Sequence, residues 1–209
     1  MIDPQLSPIL VVMALEIEAQ GVFKQQGVPV LYTGVGKVNA AMSLTRRLGH
    51  YRAAAIPSPL VINLGTAGSR HFPTGTLVAC HSFVQRDMDV SALGFAHGHT
   101  PYEDVPAQLD YPRVFTHLPA GLCGSGDCFQ TDVSRVHCEV IDMEAYALAK
   151  VCHFEGVRFG CAKYITDGAD HAASSDWQSN LRRAGADFWE LYQELRRAAA
   201  RSGVLNSAR

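Results

Sequence analysis

The chain reads as short apolar runs separated by segments with a helical repeat. Ile9–Ala14 (I-L-V-V-M-A), Val28–Thr33, Pro59–Leu64, Thr76–Val84 and Val157–Ile165 are mostly apolar, and runs of this length suit strands covered on both faces. A further strand starts at Gly121 and ends in the glycine-rich turn G-S-G-D. Between these runs the period changes. A helix is predicted after the G-V-G-K turn, ending at about Leu48. Ala145, Leu148, Ala149 and Cys152 recur at the spacing of one helical face. Trp177, Leu181, Ala184, Phe188, Leu191 and Leu195 trace the core stripe of a terminal helix, with Arg and Glu on its outer side. His97–Thr116, with prolines at 101, 106 and 112, is expected to be an irregular connection. Strands alternating with helices indicate an α/β layered fold. No repeat or linker divides the chain, so residues 1–209 are expected to form one domain.

Val140–Asp170 organises the rest. It contains the end of a strand, a helix with Asp142 and Glu144 at its positive end, a glycine stop at Gly156 and a buried strand. Glu144 and Asp167 thus leave the carboxyl ends of two strands, the edge where open α/β sheets bind ligands. Two readings are open: a carboxylate pair for acid/base chemistry, or a helix cap and a turn aspartate, with Asp170 shaping the same turn. Leu15-Glu16-Ile17-Glu18 begins a helix after the first strand and brings another acid to such an end. Gly34 and Gly36 open a dinucleotide-type fingerprint whose third glycine would fall at Asn39, so G-V-G-K reads as a tight strand-to-helix turn. G-T-A-G-S (65–69) follows the third strand, and its small residues let backbone N–H groups reach a ligand oxygen, with Thr66 adding a hydroxyl.

Composition narrows the chemistry. Of 209 residues, 47% are hydrophobic and 18% charged, which describes a globular protein. A net charge of −2 without long Lys/Arg runs argues against a nucleic-acid partner. No apolar run is long enough to cross a bilayer, and the first residues lack a signal-peptide pattern, so a cytoplasmic protein without a membrane partner is expected. The six cysteines form no CxxC pair and read as reduced core thiols. His97 and His99 have no third ligand at useful spacing. No metal and no cofactor are expected.

Taken in order, A-L-E-I-E-A, G-V-G-K-V-N-A-A, V-I-N-L-G-T-A-G, R-D-M-D-V-S-A-L-G, S-G-D-C-F and D-M-E-A with I-T-D-G-A-D resemble the nucleoside phosphorylase and nucleosidase superfamily. The similarity spans about Ile9 to Trp177, and the narrower likeness is to 5′-methylthioadenosine/S-adenosylhomocysteine nucleosidases. The resemblance implies an α/β three-layer sandwich, a mixed twisted central sheet flanked by helices, assembled as a homo-oligomer with a dimer favoured. It implies Glu18 as the base holding the attacking water and Asp167 as the acid at the purine N7. Glu144 would bind the ribose hydroxyls, with Met143 beneath the sugar and Thr66 near the water. Phe129 would stack on the base and Gln130 address its edge. Val90, Leu93, Phe95, Pro101 and Trp177 match positions around the 5′-substituent.

Hydrolysis is preferred to phosphorolysis because Glu16 and Glu18 stand where phosphorylases of the family carry a basic loop. A futalosine-type hydrolase or a non-catalytic nucleoside binder would also suit the resemblance. The chain departs from the family pattern in lacking a hairpin before Val28, in a shortened Pro101–Gly121 connection, in Lys163 for a common arginine, and at Gln130 and Tyr146.

Overall fold

A computed structural model describes residues 8–128, 136–169 and 173–202, the side chains of 173–180, 182 and 202 excepted. Its strands are β1 (Ile9–Met13), β2 (Val30–Tyr32), β3 (Leu60–Gly68), β4 (Leu77–Gln85), β5 (Gln108–Asp110), β6 (Ala120–Ser125), β7 (Val140–Asp142) and β8 (Phe159–Asp167). The helices are α1 (Val22–Gln25), α2 (Lys37–Ala53), α3 (Ala145–Glu155) and α4 (Ala173–Ser202), with short 3-10 turns at Glu16–Ala19 and Ser91–Leu93.

The strands form one mixed sheet in the order β2-β1-β3-β7-β6-β4-β5, and β8 pairs with both β3 and β4. β8 runs parallel to β3 from Val61↔Phe159 to Gly68↔Asp167 and antiparallel to β4. β7 meets β3 antiparallel at Gly68↔Ile141 and lies parallel to β6. The sheet therefore closes on itself through β3, β8, β4, β6 and β7. Side-chain alternation supplies a layer of helices on each face. Leu10, Val12, Val61, Phe159, Cys161 and Ile165 pack with Leu44 and Leu48 of α2 and Leu148 and Cys152 of α3. The intervening Val11, Met13, Ile62, Leu64, Ala162 and Tyr164 pack with Phe23 of α1 and Phe188 and Leu191 of α4. All nine β8 residues are buried.

Four expectations change. The strand after Pro59 does not stop at Leu64. It continues through G-T-A-G to Gly68, because those small residues pair along β8 while acids press against them. The 97–116 connection contains β5, which adds to the β4 edge. Helix α2 runs past Leu48 to Ala53, and the polar positions of its last turn face outward. Helix α3 starts at Ala145, so Asp142 and Glu144 precede its first turn rather than lie in it. Gly156 ends α3 in the left-handed conformation at φ 62°.

Candidate active site

Closure of the sheet gathers the strand ends that an open parallel sheet would have lined up. β7 and β8 belong to oppositely running halves, yet Gly68, Ile141 and Asp167 meet at the seam. A cavity of about 260 Å³ opens there, near the lower end of small-molecule sites, roughly 300 Å³. Glu18, Thr66, Met143, Glu144 and Asp167 all line it.

Each acid is fixed by its own element. Glu18 sits in the 3-10 turn that follows β1 and is 4% exposed. Its Oε1 accepts hydrogen bonds from the Thr66 N–H and hydroxyl, both at 2.8 Å, and its Oε2 accepts one from the Leu15 N–H at 3.0 Å. A carboxylate oxygen accepts two bonds readily, so Oε2 retains acceptor capacity toward the cavity. Asp167 ends β8. Its Oδ1 accepts from the Ala169 N–H at 3.0 Å and its Oδ2 from the Thr166 hydroxyl at 2.8 Å. Glu144 occupies the N-cap position of α3, and its Oε1 accepts the Gly36 N–H at 2.8 Å from the turn before α2. Burial raises its carboxyl pKa to about 7; the charges of Asp142 and Glu18 add to the rise, against Lys163 and the Gly36 N–H.

Beneath these acids lies an ion pair that reading along the chain does not reveal. Lys163 Nζ stands 2.7 Å from Asp142 Oδ2, with both side chains almost fully buried. Burial alone would raise the Asp142 carboxyl, but the Lys163 charge holds it below the usual range; Asp142 in turn keeps the Lys163 ammonium charged against its own burial. Asp142 Oδ2 also accepts the Ala145 N–H at 2.9 Å, so one carboxylate serves as helix cap and counter-ion together. Two glycines make room for the site. A methyl group at Gly68 would lie 2.5 Å from Asp167 Oδ1, and one at Gly65 would lie 3.3 Å from Glu18 Oε1 and 3.4 Å from Lys163 Nζ.

Arg86 also lines the cavity and is not singled out by pattern alone. It is 7% exposed, and its guanidinium donates to the Cys128 sulfur at 3.3 Å and to the carbonyls of Gly126 and Cys128. The structural signal is its position directly after β4, where Arg86 N donates to Ser125 O at 2.9 Å. Val90, Leu93, Phe95 and Pro101 lie on the 90–101 connection and are not among the lining residues. There Phe95 stacks on His99 at 5.9 Å, and Leu93 is 67% exposed. Phe129 and Gln130 fall outside the described residues, as does Asp170; Trp177 lies on α4 with its side chain outside them. Among the described residues no group of three or more His, Cys, Asp or Glu side chains is placed to hold a metal ion.

The arrangement can hold a small polar molecule among several carboxylates of different environment. That separates one acid from another chemically. A family model described as the phosphorylase superfamily matches residues 18–201. The chain belongs to the phosphorylase superfamily. Within it, a 5′-methylthioadenosine/S-adenosylhomocysteine nucleosidase of Geobacillus kaustophilus is 32% identical over 188 residues, covering 78% of this chain and 76% of the relative. Two solved superfamily-like folds come from Helicobacter pylori. One is a 5′-methylthioadenosine/S-adenosylhomocysteine nucleosidase bound to a pyrrolidine compound, with TM-score 0.77, 20% identity and coverage of 91% of this chain and 97% of that one. The other is a futalosine hydrolase, with TM-score 0.78, 20% identity and coverage of 92% and 98%. At that identity the structural likeness speaks to the fold, a mixed sheet flanked by helices.

Proposed function

We propose that the protein is a purine nucleosidase that hydrolyses the N-glycosidic bond of a 5′-modified adenosine of the methylthioadenosine/S-adenosylhomocysteine type. The observation that carries this reading is the meeting of Glu18, Glu144 and Asp167 around one cavity, although they are far apart in sequence. Cleavage passes through a sugar with oxocarbenium character, as in other glycoside hydrolyses. Glu144 accepts bonds from the ribose hydroxyls, and Met143 lies beneath the ring. Glu18, braced by Thr66 and Leu15, orients a water whose oxygen bonds to C1′ as the C1′–N9 bond breaks. The electron pair leaves with the purine, Asp167 delivers a proton to N7, and the water proton passes to Glu18. Phe129 and Gln130 address the base in this reading, and Val90, Leu93, Phe95, Pro101 and Trp177 the 5′-group.

Charge separates hydrolysis from phosphorolysis. Four carboxyl side chains line the described part of the cavity, at Glu18, Asp142, Glu144 and Asp167, with Asp142 balanced by Lys163 and one guanidinium, Arg86, among the lining. That guanidinium is turned to the Gly126 and Cys128 carbonyls. A phosphate dianion at the water position would meet the charge of Glu18, whereas water would not. The test is release of free base from a nucleoside panel, with and without phosphate. Release from 5′-methylthioadenosine at an unchanged rate without phosphate supports the reading; release only with phosphate, or binding without release, refutes it.

The active form in this proposal is a cytoplasmic homodimer. No helix among the described residues is long and apolar enough to cross a membrane. Six free cysteines suit a reducing compartment. Val38, Met42 and Phe154 present an apolar face on α2 and α3 at 76%, 51% and 65% exposure, beside cavity-lining Val35, and a second copy would cover it. Sedimentation of the wild type and of Met42→Lys tests this assembly. The dimer predicts a two-chain species that the lysine weakens; a monomer at micromolar concentration refutes it.

A further inference from the structure

Lys37, the first residue of α2, has no part in the chemistry just described, yet it is tied into the cavity wall from two directions. Its ammonium lies 2.6 and 2.5 Å from the two carboxylate oxygens of Asp87 and 3.2 Å from Asp127 Oδ2. Its own backbone N–H donates to Asp127 Oδ1 at 2.7 Å, and the Asp127 N–H donates to Asp87 Oδ2 at 2.8 Å. The Lys37 and Asp87 side chains are 14% and 25% exposed, so solvent screens that pair only partly, whereas Asp127, at 45%, is more open to it. The next amide back along the chain, Gly36 N–H, is the one that holds Glu144.

We propose that Lys37 is a positioning residue that locks the wall formed by Arg86 and Cys128 to the sugar-binding Glu144. Asp87 directly follows Arg86, and Asp127 directly precedes Cys128; both neighbours line the cavity. Adjacent amides of one turn therefore hold Glu144 and Asp127, while the Lys37 side chain neutralises the two aspartates that would otherwise repel each other across the seam between β4 and β6. The wall and the sugar site share one anchor. A shift of the wall changes how a bound nucleoside sits against Glu144 without touching Glu18 or Asp167.

The kinetic half of this inference rests on the nucleosidase reading, and the structural half does not. In Lys37→Met, two facing carboxylates lose their cation. Because an ångström of misplacement can cost about 10²-fold, the expected loss is roughly 10- to 100-fold in kcat/KM, carried mainly by KM. Lys37→Arg, whose fork spans two carboxylates, restores most of it. So does the double variant Lys37→Met with Asp87→Asn, which removes one of the two facing charges and with it their repulsion, yet keeps an acceptor for the Asp127 N–H. Amide hydrogen exchange of the ligand-free protein is read alongside. Residues 126–128 exchange faster in Lys37→Met and regain protection in both rescuing variants. Wild-type KM together with wild-type exchange in Lys37→Met overturns the proposal. A loss that neither rescue recovers, accompanied by a lower melting temperature, reduces Lys37 to a fold-stabilising residue and overturns it as well. If the wild type releases base from no nucleoside, the reaction assignment fails while the exchange data still judge the clamp.

Discussion

Replacing Gly68 by alanine tests whether Asp167 works at the position the fold gives it. The added methyl would stand 2.5 Å from Asp167 Oδ1 and 3.1 Å from Ala169 Cβ. An ordinary contact of that kind is about 3.4 Å or more, because attraction turns to steep repulsion inside it. The carboxylate must therefore retreat by roughly 0.9 Å, or the strand must move by as much. Strain of this size in a packed interior costs about 1–3 kcal/mol, or roughly 2–12 °C in melting temperature for a domain of this length. The protein should remain folded. The chemical cost is larger, since an error near 1 Å at a reacting group is worth about 10²-fold. Gly65→Ala is the internal comparison, because its methyl would sit 3.3 Å from Glu18 Oε1 and 3.4 Å from Lys163 Nζ, close to ordinary contact. Steady-state base release with circular-dichroism melting should give a loss of about 10²-fold in kcat for Gly68→Ala and under about tenfold for Gly65→Ala. Equal activity in the two variants, both folded, would refute the reasoning.

Asp167→Asn and Glu18→Gln should each reduce kcat about 10²–10⁴-fold while melting close to wild type, measured by base release; a variant retaining near wild-type turnover loses its assigned role. The kcat/KM profile should rise with pH through an apparent pKa near 7, the value burial gives Glu144 in the free protein, and that limb should vanish in Glu144→Gln. The same shift has a stability sign. A carboxyl raised on folding binds more protons in the native state, so its contribution is full below the unfolded value and is lost as pH climbs through about 7. Lys163→Met leaves Asp142 buried without its partner, which typically costs about 3–5 kcal/mol in urea unfolding; a stability unchanged from wild type would show that the pair carries no weight.

Much of the architecture is legible along the chain because it rests on local periodicity. The buried face of α3, the stop at Gly156, the stripe of α4 through Leu181, Ala184, Phe188 and Leu191, and the apolar cores of β1, β3 and β8 follow from residue spacing. What is not legible depends on pairing at a distance. G-T-A-G resembles a loop because glycine has poor strand propensity, yet Gly65 and Gly68 are in β3 so that Glu18 and Asp167 can approach its backbone. Lys163 sits inside an apolar run, and only the closure of the sheet brings Asp142 to it. The three residues of β5 are too few to carry a periodic signal. Of the candidate site, Glu18, Thr66, Met143, Glu144 and Asp167 share a cavity that their family motifs anticipated. Lys37 and Arg86 stand in two of the quoted motifs, G-V-G-K and R-D-M-D, yet a motif does not give their roles, since their partners come from separate strand ends.

The most direct test of a water-cleaving, three-acid site is the fate of solvent oxygen. 5′-Methylthioadenosine is incubated with the protein in heavy-oxygen water without phosphate, and the released sugar is weighed by mass spectrometry. One heavy oxygen should enter each sugar at C1′ during cleavage, in excess of slow exchange measured on the free product, and Glu18→Gln should slow release of labelled sugar about 10²–10⁴-fold while each sugar it does release still carries the label. A sugar released only as its phosphate ester when phosphate is supplied, or no sugar released at all, would contradict it.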